Sequence, residues 1–374
     1  MDQLERFRAV VHLQEPDYWP LLAGHALGTP HQGGLRKLHA EGLPEHVRDI
    51  DSWCAYWGES TFDVADSPAE GAPGVAATSR LEGGFEIIEY ETGARIRQVL
   101  DNANVYSMPD FQTFHVRDRA SWERYRELTT PTALNEKTLE AMRSRFEHRV
   151  RPLAVHCGGT WGVVRNDMGP ERALTAVYED PELVHDMIDH YLRVQEQFVF
   201  PVIQALRPEI VMGWEDSCYN NGMLIGPGHF REFCAPYYRR VAEVARECGA
   251  ELLFVDSDGK VADFIPLLSE CGFNGLMPME QVCGNDPVAY RERTPGFVFL
   301  GGIEKEIAST GNRHRIASEL TPKVRAMLKL RGCFPMFDHG LSTCVGFDEH
   351  CRCMTRLHEL CGSAHLGLGD FPRR

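Results

Sequence analysis

Leu252-Leu253-Phe254-Val255-Asp256-Ser257-Asp258-Gly259 runs four apolar residues straight into two carboxylates and a glycine. An apolar run of this length without alternation suits a strand buried on both faces. Extended backbone sends residues two apart to the same side, so Asp256 and Asp258 are expected to stand together at the strand's C-terminal end. Neighbouring carboxylates repel unless a cation or a shared proton lies between them. That end of a parallel strand is also where barrels and open α/β sheets place their sites. A helix cap at Asp256 and a turn at Asp258-Gly259 account for the same residues equally well, so the flanking sequence has to decide.

Outward from this stretch the chain is regular. Upstream, Leu153–His156 and Glu209–Trp214 read as strands. The helix that follows the first begins at Pro181, with Leu183, Val184, Met187, Ile188, Tyr191 and Leu192 on one stripe. Pro227–Cys248 is the next helical region. Downstream, Gly275–Pro278, Phe297–Leu300 and Cys333–Phe337 read as strands, with helices over 261–271, 313–330 and 347–361. Six strand-then-helix units over 151–361 mean parallel strands joined by crossover helices.

Eight such units close a barrel of about 250 residues. Two more strands are therefore expected in the less regular N-terminal part, 1–150, near Trp19–Ala23 and Trp53–Trp57. The same part carries a short helix at Leu4–Val11, a Gly-, Pro- and His-rich stretch over 24–44, and loop over 63–83. A β-hairpin is expected over Phe85–Val99, and a helix over Asp118–Leu128. The fold class expected is a single-domain (β/α)8 TIM barrel over 1–374, with extra N-terminal helices and a β-hairpin.

The 374 residues are 43% hydrophobic and 25% charged, ample for a core of this size. A formal net charge of -15 without a long basic cluster argues against nucleic acid or an anionic membrane as the main partner. No apolar stretch approaches a membrane span, and the first residues lack a signal-peptide core. Twelve scattered cysteines then read as reduced thiols in a cytoplasmic protein. Cys344, His350, Cys351, Cys353, His358 and Cys361 crowd the C-terminus, but Cys351 and Cys353 fall on different helix faces. Met354, Leu357 and Cys361 make an ordinary core stripe, and only Cys344 lies close enough after His339 to reach a strand-end rim.

Polar residues collect after the strands: His156, Glu215-Asp216, Asp256 and Asp258, Glu280, Glu304, and Asp338-His339. Parallel strands would bring them to one rim. Two chemistries suit that rim. Asp256, Asp258 and His339, with Glu215 or Glu280 nearby, form an O,O,N set for zinc, manganese or iron. Alternatively the acids share protons and His339 works as acid or base without a metal. The bland readings are a loop cap at Asp338 and a hydrogen-bonded ring at His339. No Walker, Gly-x-Ser-x-Gly or Cys-x-x-Cys pattern is present.

Taken in order, Asp256-Ser257-Asp258-Gly259, Pro278-Met279-Glu280, Gly301-Gly302-Ile303-Glu304 and Asp338-His339-Gly340 resemble the uroporphyrinogen decarboxylase superfamily. Ile225-Gly226-Pro227, Phe230-Arg231-Glu232-Phe233 and Pro236-Tyr237-Tyr238 add to the resemblance, which covers roughly 105–360. It implies a (β/α)8 barrel, a site at the C-terminal mouth, and either tetrapyrrole decarboxylation or corrinoid- or thiol-dependent methyl transfer. The chain departs from the family twice. Residues 17–40 lack the Arg-rich motif with which the decarboxylase grips carboxylates; Arg36 is isolated. Where the zinc methyltransferases carry His-x-Cys and a later Cys, this chain has Asp256-x-Asp258 and Asp338-His339.

The resulting expectation is a metal-dependent methyltransferase-like enzyme acting on a small methylated or carboxylated substrate. Asp256, Asp258 and His339 hold a divalent metal, zinc, and Glu215, Asp258 and His339 act in catalysis. His156, Arg165, Asn220, Glu280 and Glu304 contact substrate. The resemblance further implies a corrinoid-carrying partner protein and a homodimer. A decarboxylase of a small or tetrapyrrole acid and a non-catalytic small-molecule-binding barrel are the alternatives.

Overall fold

The computed structural model describes residues 1–23, 32–100, 108–310, 312–341 and 344–366. Its centre is a curled sheet of seven parallel strands in mixed α/β surroundings: β1 (Asp63–Ala65), β2 (Leu153–His156), β3 (Ile210–Trp214), β4 (Leu252–Asp256), β5 (Gly275–Met277), β6 (Val298–Ile303) and β7 (Cys333–Phe337). They lie side by side in chain order, as crossover helices require. All six strands expected over 151–361 are present.

β4 shows why an unbroken apolar run forms such a strand. Leu252, Leu253, Phe254 and Val255 are all fully buried. Leu252 and Phe254 join one core cluster with Ile210, Leu300, Phe334 and the N-terminal Phe7. Leu253 and Val255 face the other way, into a cluster with Tyr237, Val241, Phe264 and Leu268 on the crossover helices. With both faces covered there is no polar side to alternate with.

The N-terminal part departs from expectation. Trp53–Trp57 is not a strand but lies in a helix, Ile50–Trp57, opened by a capping box in which Asp49 accepts from Ser52 N. The strand in this region is instead β1, pairing Asp63, Val64 and Ala65 with Leu153, Ala154 and Val155. The eighth strand expected near Trp19–Ala23 is a single parallel bridge, Leu22 to Ser60. Leu22 N donates to Pro335 O on β7 (2.9 Å) and Ala23 N to Ser60 O (2.8 Å), so this segment runs between β7 and the residues just before β1. Seven parallel strands, not eight, are thus present among the described residues.

The hairpin, Phe85–Tyr90 with Arg95–Val99, is as expected, and two further strands extend it into a four-stranded antiparallel sheet. One of these, Ala77–Glu82, falls where loop was expected; every residue in it is exposed, which is why no apolar pattern marks it. In the Gly-, Pro- and His-rich stretch, residues 24–31 lie outside the described residues. Among the described residues no helix is long and apolar enough to cross a membrane.

Candidate metal centre at the strand ends

The rim is built from four loops that follow β3, β4, β5 and β7. After β3 the chain turns at Asp216, whose φ of 87° is left-handed. Its carboxylate accepts from Arg165 Nη2 at 2.9 Å. Burial raises the Asp216 pKa, and the Arg165 contact partly offsets that. Glu215, one residue earlier, points inward and is fully buried. It accepts from Thr160 N (2.5 Å), Thr160 Oγ1 (2.6 Å), Gly162 N (2.6 Å), Ser217 Oγ (3.2 Å) and the Tyr238 hydroxyl. These donors take up its acceptor sites and pin the start of helix Trp161–Met168 to the helix carrying Tyr238. Glu215 is therefore a buried tie between these elements.

After β4, Asp256 is the last strand residue, opposite Trp214 and Met277. Burial, with Asp258 and Asp216 beside it, pushes its carboxyl up to about 7. The chain then turns through Ser257, Asp258 and Gly259. Gly259 has φ 86°, and a Cβ there would meet the Cys218 backbone at 2.7 Å. Its N–H donates to Glu280 Oε2 at 2.7 Å, so the turn after β4 fixes the acid after β5.

Glu280 follows a cis Met277–Pro278 bond and Met279 at φ 61°. Gly301 on β6 allows the close approach: a Cβ there would sit 1.7 Å from Pro278 O. A short 3-10 turn, Gln281–Cys283, comes next, with its first N–H donated to Asp338 Oδ2 at 2.9 Å. Asp338 also accepts from Lys305 N at 3.1 Å, so a nearly buried carboxylate joins the loops after β5, β6 and β7.

His339 stands over this frame. Its Nε2 is 3.2 Å from Asp258 Oδ1, and its Nδ1 is 3.7 Å from Asp338 Oδ1. Burial alone would lower its pKa; the contacts to Asp258 and Asp338 outweigh that and raise it to about 10. One donor atom each from Asp258, Glu280 and His339 lies within 4.8 Å of the others. Two carboxylate oxygens and an imidazole nitrogen are a donor set that zinc and other first-row divalent ions accept. A ligating histidine is usually oriented by a carboxylate hydrogen-bonded to its far ring nitrogen; Asp338 stands on that side of His339, at 3.7 Å, as an electrostatic neighbour.

The structure therefore brings together three residues that the sequence singled out, with one exchange. The expected metal set named Asp256; the cluster has Glu280 in its place. The reason is local. Side-chain alternation holds only along extended backbone, and the strand ends at Asp256, so the turn re-aims Asp258 toward His339 and Glu280. Of the expected substrate contacts, Arg165 and Asn220 border the rim, through Asp216 and through the Cys283 thiol 3.6 Å from Asn220 Oδ1. His156 sits at the end of β2, where its Nδ1 accepts from Gly158 N at 3.0 Å and burial lowers its pKa. Glu304 is engaged by Arg315 at 3.2 Å. Sequence reasoning missed Asp338 as the support of His339, and missed Cys283, whose thiol is 3.3 Å from Glu280 Oε2. The signal for Cys283 was its spacing of three from Glu280, which one turn of 3-10 helix makes neighbours.

Among known proteins, a solved methyltransferase from Methanosarcina mazei has the same overall fold, with a TM-score of 0.60 over 96% of this chain and 99% of its own. The two are 13% identical, so the likeness is one of fold. No curated protein sequence matches the chain. The model of the family described as Uroporphyrinogen decarboxylase (URO-D) matches residues 106–331, a span that holds β2 to β6 and the strand-end acids from Glu215 to Glu304. With more than half of its length matched, the chain belongs to the uroporphyrinogen decarboxylase (URO-D) family.

Proposed function

We propose that this protein is a metal-dependent enzyme that activates a small methylated substrate for methyl transfer. The observation that carries this reading is the convergence of Asp258, Glu280 and His339 on one point of the rim. His339 would bind through Nε2, with Nδ1 held toward Asp338. A bound zinc ion would supply Lewis acidity, polarising the heteroatom that carries the methyl group. The protein's own part is positional. Asp338 faces the far side of the ring at 3.7 Å, Gly259 N–H fixes Glu280, and Glu215 holds rigid the wall from which Arg165 projects. Arg165 and Asn220 are the proposed substrate contacts. A cytoplasmic homodimer that passes the methyl group to a corrinoid-bearing protein completes the proposal.

The test is a purified, zinc-loaded protein offered a panel of methoxy, methylthio and methylamine compounds, with free cob(I)alamin as acceptor. Methylcobalamin should form with at least one of them. The rate should fall about 100-fold or more in Asp258→Ala, since even outer-shell partners of a metal ligand are worth 10–100-fold. Formation that persists at the wild-type rate in Asp258→Ala, or in a fully chelated protein, contradicts the reading. One observation favours a second reading, decarboxylation of a small acid. His339, at about 10, holds a proton at neutral pH beside Asp258 and can deliver it to a carbanion. Carbon dioxide release from a small acid without added metal would select that alternative.

A further inference from the structure

We infer that Cys283 provides a fourth, sulfur donor to the ion held by Asp258, Glu280 and His339. This rests on the metal reading above and deepens it. In a 3-10 turn, side chains three apart eclipse one another. Glu280 and Cys283 bracket such a turn, and its first N–H is tied down by Asp338. The carboxylate and the thiol consequently project together, with Sγ 3.3 Å from Glu280 Oε2. Two donors of a tetrahedral zinc stand about 3.5 Å apart, which matches this pair, but Sγ is not among the donor atoms that lie within 4.8 Å of one another, so the thiol has to swing from Glu280 toward the ion to join Asp258 and His339.

The present hydrogen bonding explains why the thiol should change role when metal arrives. Cys283 is nearly buried, and its S–H is directed at Glu280 Oε2, with Asn220 Oδ1 more distant at 3.6 Å. Oε2 also accepts from Gly259 N. An ion on Glu280 takes up the lone pair that the thiol now uses. The S–H bond would then break, a metal–sulfur bond would form, and the proton would leave to solvent, with no electrons changing hands. A soft sulfur beside two hard oxygens shifts preference from magnesium, calcium and manganese toward zinc, cobalt and cadmium.

Anaerobic titration with Co2+ alone tests this by absorption rather than turnover. Wild type should develop near-ultraviolet sulfur-to-cobalt charge-transfer absorption that saturates at one equivalent. Cys344→Ser, at an exposed position, should do the same. Cys283→Ser should lose the band and bind cobalt about 10-fold or more weakly. Cobalt bound by wild type at one equivalent without the band overturns the inference and leaves the three-residue site standing, as does a band that persists in Cys283→Ser. Absence of any cobalt binding overturns the metal reading and this inference together. Should Cys283→Ser prove insoluble, wild type still decides. Cobalt should protect Cys283 from iodoacetamide, read by mass spectrometry, and equal labelling with and without cobalt contradicts the assignment.

Discussion

Glu215 and Asp258 follow neighbouring strands, β3 and β4, and each comes after an apolar run. They end in opposite situations. Glu215 is fully buried and surrounded by donors: two backbone N–H groups, two side-chain hydroxyls and the Tyr238 phenol. Asp258 is about half exposed, at 47%, and faces the imidazole of His339 with Asp216 and Asp256 close behind. A carboxylate met by N–H and O–H groups has its charge satisfied and serves the fold. Asp258 has a single exchangeable partner, the His339 ring, and other carboxylates behind it, so a metal ion can take the place of the ring proton between the two. The partners of an acid, more than its place after a strand, separate structure from chemistry.

The largest effect should come from removing the satisfied acid. Glu215→Ala leaves Thr160 N and Gly162 N as buried donors without acceptors. Stability should fall by about 3–5 kcal/mol, as for breaking a buried charged network. Denaturant unfolding measures it, and a loss below about 1 kcal/mol would erase the contrast with Asp258.

His350 sharpens the comparison from the other side. It is as deeply buried as Glu215, but neither ring nitrogen has a hydrogen-bond partner among the described residues. It packs against Trp57 with ring centroids 4.3 Å apart, and burial lowers its pKa to about 3. The folded value lies below the unfolded value of about 6.5, so between the two the unfolded chain binds the extra proton. The contribution is complete above pH 6.5 and is lost as pH falls, by about 2 kcal/mol at pH 5 and about 4 kcal/mol near pH 3. His350→Phe should remove that part of the acid sensitivity. Parallel stability–pH curves for wild type and variant would show the assignment to be wrong.

Asp258→Asn should do the reverse of Glu215→Ala. Zinc affinity should fall about 100-fold, while the stability of the metal-free protein moves by less than about 1 kcal/mol. Zinc titration and unfolding of the same preparation report both. A large stability loss with affinity unchanged would make Asp258 a second structural acid. Asp338→Asn should have the smallest effect, about a 10-fold loss of zinc affinity, because the amide keeps one acceptor oxygen for Gln281 N or Lys305 N but orients His339 less well.

The six C-terminal strands were legible because both faces are buried over most of their length, which leaves a run such as Leu252–Val255 without polar interruption. The N-terminal elements were not. Trp53, Tyr56 and Trp57 read as strand through aromatic propensity, yet the Asp49–Ser52 capping box decides for a helix. β1 has three residues, too few for a pattern. In the site, the strand-end positions of Asp258, Glu280 and His339 could be read, but not their mutual facing. That depends on where β4 stops and on the Gly301–Pro278 approach. The burial of Glu215 depends on Thr160 and Tyr238, on other segments of the chain. Pairings of that kind carry no local sequence signal.

Asp258, Glu280 and His339 together should hold one ion. Calorimetric titration of metal-free protein with zinc, set beside the Asp258→Ala, Glu280→Ala, His339→Ala triple variant, addresses it directly. Wild type should bind one ion per chain with proton release, and the triple variant should bind none at that site. Stoichiometric zinc binding of equal affinity in both proteins, or none in wild type, would contradict it.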